Sequence, residues 1–165
     1  MGYNCNEVIY PMILITLSEE KNSKVSSRTK IMILTALCCI IAAASWIMNF
    51  GWFRFFMTLF AIPLIHAIIF IVANYFIASY TAQSKLLKWF LLSFCITYLL
   101  SYLFLPDAGD IGGSYVFFGL LQNEFAVNIS YVITQISFIS HIILFILQVI
   151  IVISLKRNIK KKRIE

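Results

Sequence analysis

The chain has 165 residues, of which 61% are hydrophobic and only 12% charged, with a formal net charge of +6. So much apolar side chain exceeds what a soluble domain of this size can hide, and the charges sit in blocks rather than scattered, so the composition is that of an integral membrane protein. The positive charge therefore carries no implication of nucleic acid: it comes mostly from the C-terminal run Lys156, Arg157, Lys160, Lys161, Lys162 and Arg163, where basic side chains meet water, lipid phosphate or a partner.

In chain order, residues 1–30 read as a cytoplasmic N-terminal segment. Its short apolar run, 8–17, holds Pro11 and is too short to cross a bilayer. It also lacks the basic start and small-residue cleavage site of a signal peptide, so it is expected to lie along the membrane surface. Four longer runs, at about 31–50, 55–80, 86–105 and 131–155, each approach or exceed the roughly 20 residues that a spanning helix needs. In the second, Pro63 is expected to produce a tolerated kink.

Asn49 to Arg54 reads as a tight helical hairpin, with Trp46, Trp52 and neighbouring phenylalanines as an interfacial aromatic belt. The only long connection is 106–130, an outer loop whose aromatic stretch Tyr115–Phe118 should pack against the bundle. The tail is 156–165.

Lys and Arg set the orientation. Lys21, Lys24, Arg28 and Lys30 precede the first run, Lys85 and Lys88 follow the second turn, and six more occupy the tail, against Arg54 alone on the other side. This asymmetry predicts both termini in the cytoplasm. The fold class is thus all-α: a polytopic integral membrane protein, a single four-transmembrane-helix bundle, expected in the plasma (inner) membrane of a bacterium.

Polar groups inside such spans cost free energy against lipid, so their alignment is informative. Ser130, Thr134, Ser137, His141 and Gln148 share an arc of about 60° on the fourth run, at 100° per residue. Pro63, His66, Phe70 and Asn74 align on the second; Thr35, Cys38, Ala42, Ser45 and Asn49 on the first; Ser93, Thr97 and Ser101 on the third. His66 lies eleven residues beyond Phe55 and His141 ten beyond Tyr131. Both imidazoles therefore fall about 15 Å deep, near the midplane, with Asn74 and Gln148 below them as a second tier. The intramembrane site expected from the sequence comprises His66, His141, Asn74, Gln148, Ser137 and Thr134. Such groups serve to hydrogen-bond helices together, and imidazoles could also carry protons or ligate a haem iron as a pair.

Asp107, Asp110 and Glu124 are the acids of the outer loop and could hold a cation or a partner, although the spacing does not match a calcium loop. Cys5, Cys38, Cys39 and Cys95 show no metal or redox spacing and read as free, buried thiols. Neither a metal site, a cofactor nor an enzyme is expected, since no nucleophile–base set, phosphate loop or carboxylate pair stands out. The functional expectation is a small non-enzymatic protein that binds within the membrane, as an accessory, regulatory or immunity-type subunit. Its partners would be the lipid bilayer and either another membrane protein or further copies of itself. The alternatives are a small oligomeric transporter or channel using His66 and His141, and a bis-histidine haem carrier.

Overall fold

The computed structural model describes residues 5–78, 80–81, 84–108 and 114–162. It is helical apart from one small ladder. Helix α1 runs from Cys5 to Met48, α2 from Trp52 to Leu59, α3 from Ile62 to Ala78, α4 from Lys85 to Leu103 and α5 from Glu124 to Lys162. Strands β1 (Asp107–Ala108) and β2 (Ser114–Tyr115) pair antiparallel in the α4–α5 connection.

Three stretches are long and apolar enough to cross a membrane: Ser26–Met48, Lys85–Leu103 and Glu124–Arg157. The broken pair α2–α3 makes a fourth if counted as one span. Their outward faces carry large exposed apolar side chains such as Ile40, Leu64, Trp89 and Ile136, a surface matched to hydrocarbon rather than water.

Three boundaries differ from the sequence expectation. The short run 8–17 does not form a separate element, because α1 continues unbroken through it into the first span; no glycine interrupts Cys5–Met48. The second run is not one helix kinked at Pro63. It breaks at Phe60–Ala61, where Ala61 takes a left-handed φ of 53° and the two helices meet at 68°. Pro63 is the second residue of α3, in the first turn, where a missing N–H costs no helical bond. The connection expected at 106–130 is also shorter. Asn123 caps α5 through its side chain, accepting from the Ala126 N–H at 2.7 Å, so Glu124 to Ser130 are already helical.

Helix α4 packs against both α1 and α5, and α1 also packs against α3. Contact between α3 and α5 is thinner, which leaves a cleft on that side. The α1 stripe Thr35, Cys38, Ala42, Ser45 and Asn49 is buried throughout, as its small side chains require for close helix approach. On α4 the expected polar stripe is buried only in part, with Ser101 buried and Thr97 half-buried. Ser93 is exposed and its hydroxyl bonds back to the Trp89 carbonyl, while Leu91, Phe94, Cys95, Tyr98 and Tyr102 fill the interior. Cys38 and Cys95 are buried free thiols and Cys39 is half-buried; the side chain of Cys5 lies outside the described residues.

The loop after β2 is held down rather than splayed. Val116 is fully buried and exchanges two backbone hydrogen bonds with Leu121, and the Phe117 N–H donates to the Leu103 carbonyl at 3.1 Å. Its tip passes through left-handed backbone at Phe117, Phe118 and Gly119, strain of about 1 kcal/mol for each non-glycine residue that these contacts offset.

Candidate functional site

Two polar constellations occupy the interior. The first lies at the helix ends around Arg54, which the sequence predicts in a connection and the structure buries completely, in α2. Its Nη1 donates to the Ser45 carbonyl in the last turn of α1. Its Nη2 donates to the carbonyls of Tyr102 at 3.4 Å and Leu105 at 2.7 Å, at the end of α4. Asp107 is not a solvated acid but is buried beside it, with Arg54 Nε 3.8 Å from Asp107 Oδ2. The Asp107 carboxylate accepts from the N–H groups of Gly51, Phe53 and Arg54, which open α2. The cation thus sits at two helix C-termini, sharing the Ser45 carbonyl with the Asn49 N–H, and the anion caps orphan N–H groups at one N-terminus, each matched to the sign of the helix dipole.

This arrangement removes Asp107 from any cation site. Asp110 lies outside the described residues, and Glu124 sits in the first turn of α5, exposed. Among the described residues no three metal-binding side chains come together. Sequence reasoning missed the pair, although Arg54 is the only charged side chain between Lys30 and Lys85, and Asp107 the first acid after Glu20.

The second constellation is the one expected from the polar stripes of the second and fourth runs. His66 on α3 and His141 on α5 meet with ring centroids 5.1 Å apart, edge to face. They are not hydrogen-bonded to each other. His66 Nδ1 pairs with the Tyr102 hydroxyl at 2.9 Å, and His141 Nδ1 with the Thr97 hydroxyl at 3.2 Å. His141 also stacks on Phe94 at 4.2 Å, nearly parallel. In front of the two rings lies a cleft of about 590 Å³, also bordered by Thr134, Gln135, Ser101 and Tyr102 and otherwise walled by apolar side chains. Its rim includes Ile65 and Phe138, each about half exposed on the outer face of the bundle.

The second tier does not join the first. Asn74 is buried and donates to Thr35 Oγ1 at 3.0 Å, across to α1, while its Oδ1 has no partner. Gln148 is buried with neither amide atom hydrogen-bonded, so no bond links it to Asn74. Between the tiers stand Phe70, Phe94 and Tyr98, all essentially inaccessible; Phe70 stacks on Tyr98 at 4.0 Å with ring planes 3° apart. Thr134 lines the cleft with its buried hydroxyl unpartnered, whereas Ser137 is buried on the same helix face outside the cleft.

The chain matches no protein-family model, no curated protein and no solved structure. Its function has to be read from this geometry alone.

Of the basic tail, Lys156 reaches over the Phe76 ring of α3, its Nζ 5.0 Å from the centroid, and Arg157 is exposed. Lys160, Lys161 and Lys162 continue α5, and Arg163 lies outside the described residues. Arg28 of α1 sits 3.9 Å over Tyr75, so basic residues from α1 and α5 converge on the same end of α3, opposite Arg54.

Because the two imidazoles touch, their replacement should be non-additive. Changing His66 and His141 to Leu singly and together is expected to give a coupling of about 0.5–1.5 kcal/mol in unfolding measured in detergent. Strictly additive losses would mean that the rings do not meet.

Proposed function

We propose that this chain is a four-span membrane protein with both termini in the cytoplasm, acting without catalysis by binding inside the bilayer, as an accessory, regulatory or immunity-type subunit. The observation that carries this reading is the form of the cleft. It opens through the exposed apolar rim at Ile65 and Phe138 and is closed beyond the histidines by Phe70, Phe94 and Tyr98. A pocket of several hundred Å³ with apolar walls and a few convergent polar groups is what a bound molecule needs. A conduit would need polar continuity towards Asn74 and Gln148 instead, and the aromatic layer interrupts it.

The haem alternative fits less well. A metal between two imidazole nitrogens needs about 2 Å to each, which sets the ring centroids roughly 6 Å apart, against 5.1 Å here. The orientation is supported by the clustering of Arg28 and Lys156 at one end of the bundle. Cysteines introduced at Lys85 and Lys161 should resist an impermeant maleimide added outside intact cells, while one at the exposed Leu120 should react. Outside labelling of Lys85 would reverse the orientation.

Binding is tested by native mass spectrometry of protein extracted in mild detergent. An apolar adduct or a bound partner is expected on the wild type, and its loss in Thr134→Trp, which fills the cleft. Bare protein from the wild type, or an adduct that persists in the filled variant, would overturn the reading.

A further inference from the structure

The hydrogen bonds behind the two histidines determine what their remaining nitrogens offer to the cleft. Thr97 donates its single hydroxyl proton to the Phe94 carbonyl at 3.0 Å. It can therefore only accept from His141, so His141 Nδ1 carries the proton and, in the neutral ring, Nε2 is a bare acceptor. On the other side the buried Tyr102 hydroxyl has two polar neighbours, His66 Nδ1 at 2.9 Å and the Tyr98 hydroxyl. Were His66 Nδ1 to donate to it, the buried phenol proton would have to turn to the Tyr98 oxygen, a weaker acceptor than a neutral imidazole nitrogen. Tyr102 therefore donates, and His66 carries its proton on Nε2.

Both rings line the cleft, and beyond their Nδ1 bonds the one further hydrogen bond of either ring among the described residues runs from His141 to the Phe94 backbone. His141 is itself only 4% exposed and lines the cleft, so what a free ring nitrogen meets there is the cleft's occupant rather than bulk water. The pair thus presents one donor and one acceptor side by side. A hydroxyl complements both at once, donating to His141 Nε2 and accepting from His66 Nε2–H. The buried, unpartnered hydroxyl of Thr134 offers a third contact. No Lys, Arg, Asp or Glu borders the cleft, so nothing there balances a charged head group, and the walls and rim suit a hydrocarbon chain.

We propose that the cleft is a site for an uncharged lipid alcohol, whose hydroxyl bridges His66 and His141 while its chain leaves past Ile65 and Phe138 into the bilayer. This deepens the intramembrane-binding reading and rests on it. A carbonyl head would satisfy only the donor, and a carboxylate would bring a charge without a counter-ion. A trapped water could bridge the same nitrogens without any lipid.

The test uses the full chain in phosphatidylcholine nanodiscs and three photoreactive probes on one sixteen-carbon chain: the primary alcohol, its methyl ether and the fatty acid. Crosslinked peptides are mapped by mass spectrometry, with labelling at the lipid-facing Ile139 and Leu147 as the reference. The alcohol should label the cleft segments 62–69 and 134–145 about ten-fold more than the ether, as the loss of a buried hydrogen bond implies. The acid should label weakly. In His141→Leu, alcohol labelling should fall to the ether's level, with retained folding checked by thermal unfolding. Equal cleft labelling by alcohol and ether in the wild type would overturn the hydroxyl proposal and assign the histidines to water, while leaving the binding reading intact. Cleft labelling no higher than at the reference positions for all three probes would overturn both.

Discussion

Replacing Arg54 with Met is expected to destabilise the protein by about 3–5 kcal/mol, the range found when one partner of a buried ion pair is removed. The reason lies in what the guanidinium satisfies. It donates to carbonyls at the ends of both α1 and α4 while facing the Asp107 carboxylate, and neither side chain of the pair is measurably exposed. Methionine fills similar volume but removes the counter-charge of a buried anion and the guanidinium's bond to the Leu105 carbonyl. The Ser45 and Tyr102 carbonyls keep the Asn49 N–H and the Ser45 hydroxyl. Arg54→Lys should recover only part of the loss, since an ammonium cannot reach carbonyls on two helix ends in the planar fork geometry of arginine. Asp107→Asn should cost less, because its amide oxygen can still accept from the start of α2. The double variant Arg54→Met with Asp107→Asn should be more stable than the sum of the single losses. Denaturant unfolding in detergent measures all four, and a cost below about 1 kcal/mol for Arg54→Met, typical of an exposed pair, would mean that the guanidinium is hydrated.

That pair also marks where the sequence stops being legible. The apolar runs and the small-residue stripe of α1 follow from composition and helical period, because burial in a membrane bundle selects for both. The meeting of His66 and His141 follows from their equal depth on helices that run in the same direction. By contrast, Arg54 and Asp107 are 53 residues apart, and only the fold brings the end of α4 over the start of α2. Read locally, each is a loop charge. The break at Phe60–Ala61 is equally hidden: neither residue favours it, and Pro63 draws attention to a site two residues away. On α4 polarity misleads at Ser93, which satisfies its hydroxyl within its own helix and so can face outward. The interior there is taken by aromatic rings whose value lies in shape rather than polarity.

Those rings carry the remaining large effect. Phe70 is fully buried, stacked on Tyr98 and in contact with Phe94, and Phe70→Ala should cost about 3–5 kcal/mol, as truncation of a core aromatic does. The loss should fall towards the lower end if water enters the space, because the unpartnered atoms of Asn74 and Gln148 would then gain hydrogen bonds. The same water would connect the histidine cleft to the amide tier. Proteoliposomes holding the wild type should therefore retain a pH gradient as well as protein-free vesicles do, and those holding Phe70→Ala should dissipate it faster. Phe70→Leu, which keeps an apolar plug, should stay tight. If instead the wild type already conducts protons and the alanine variant conducts no better, Phe70 is not a barrier. The histidines would then belong to a pathway rather than to a closed binding site, and the transporter reading would replace the one proposed.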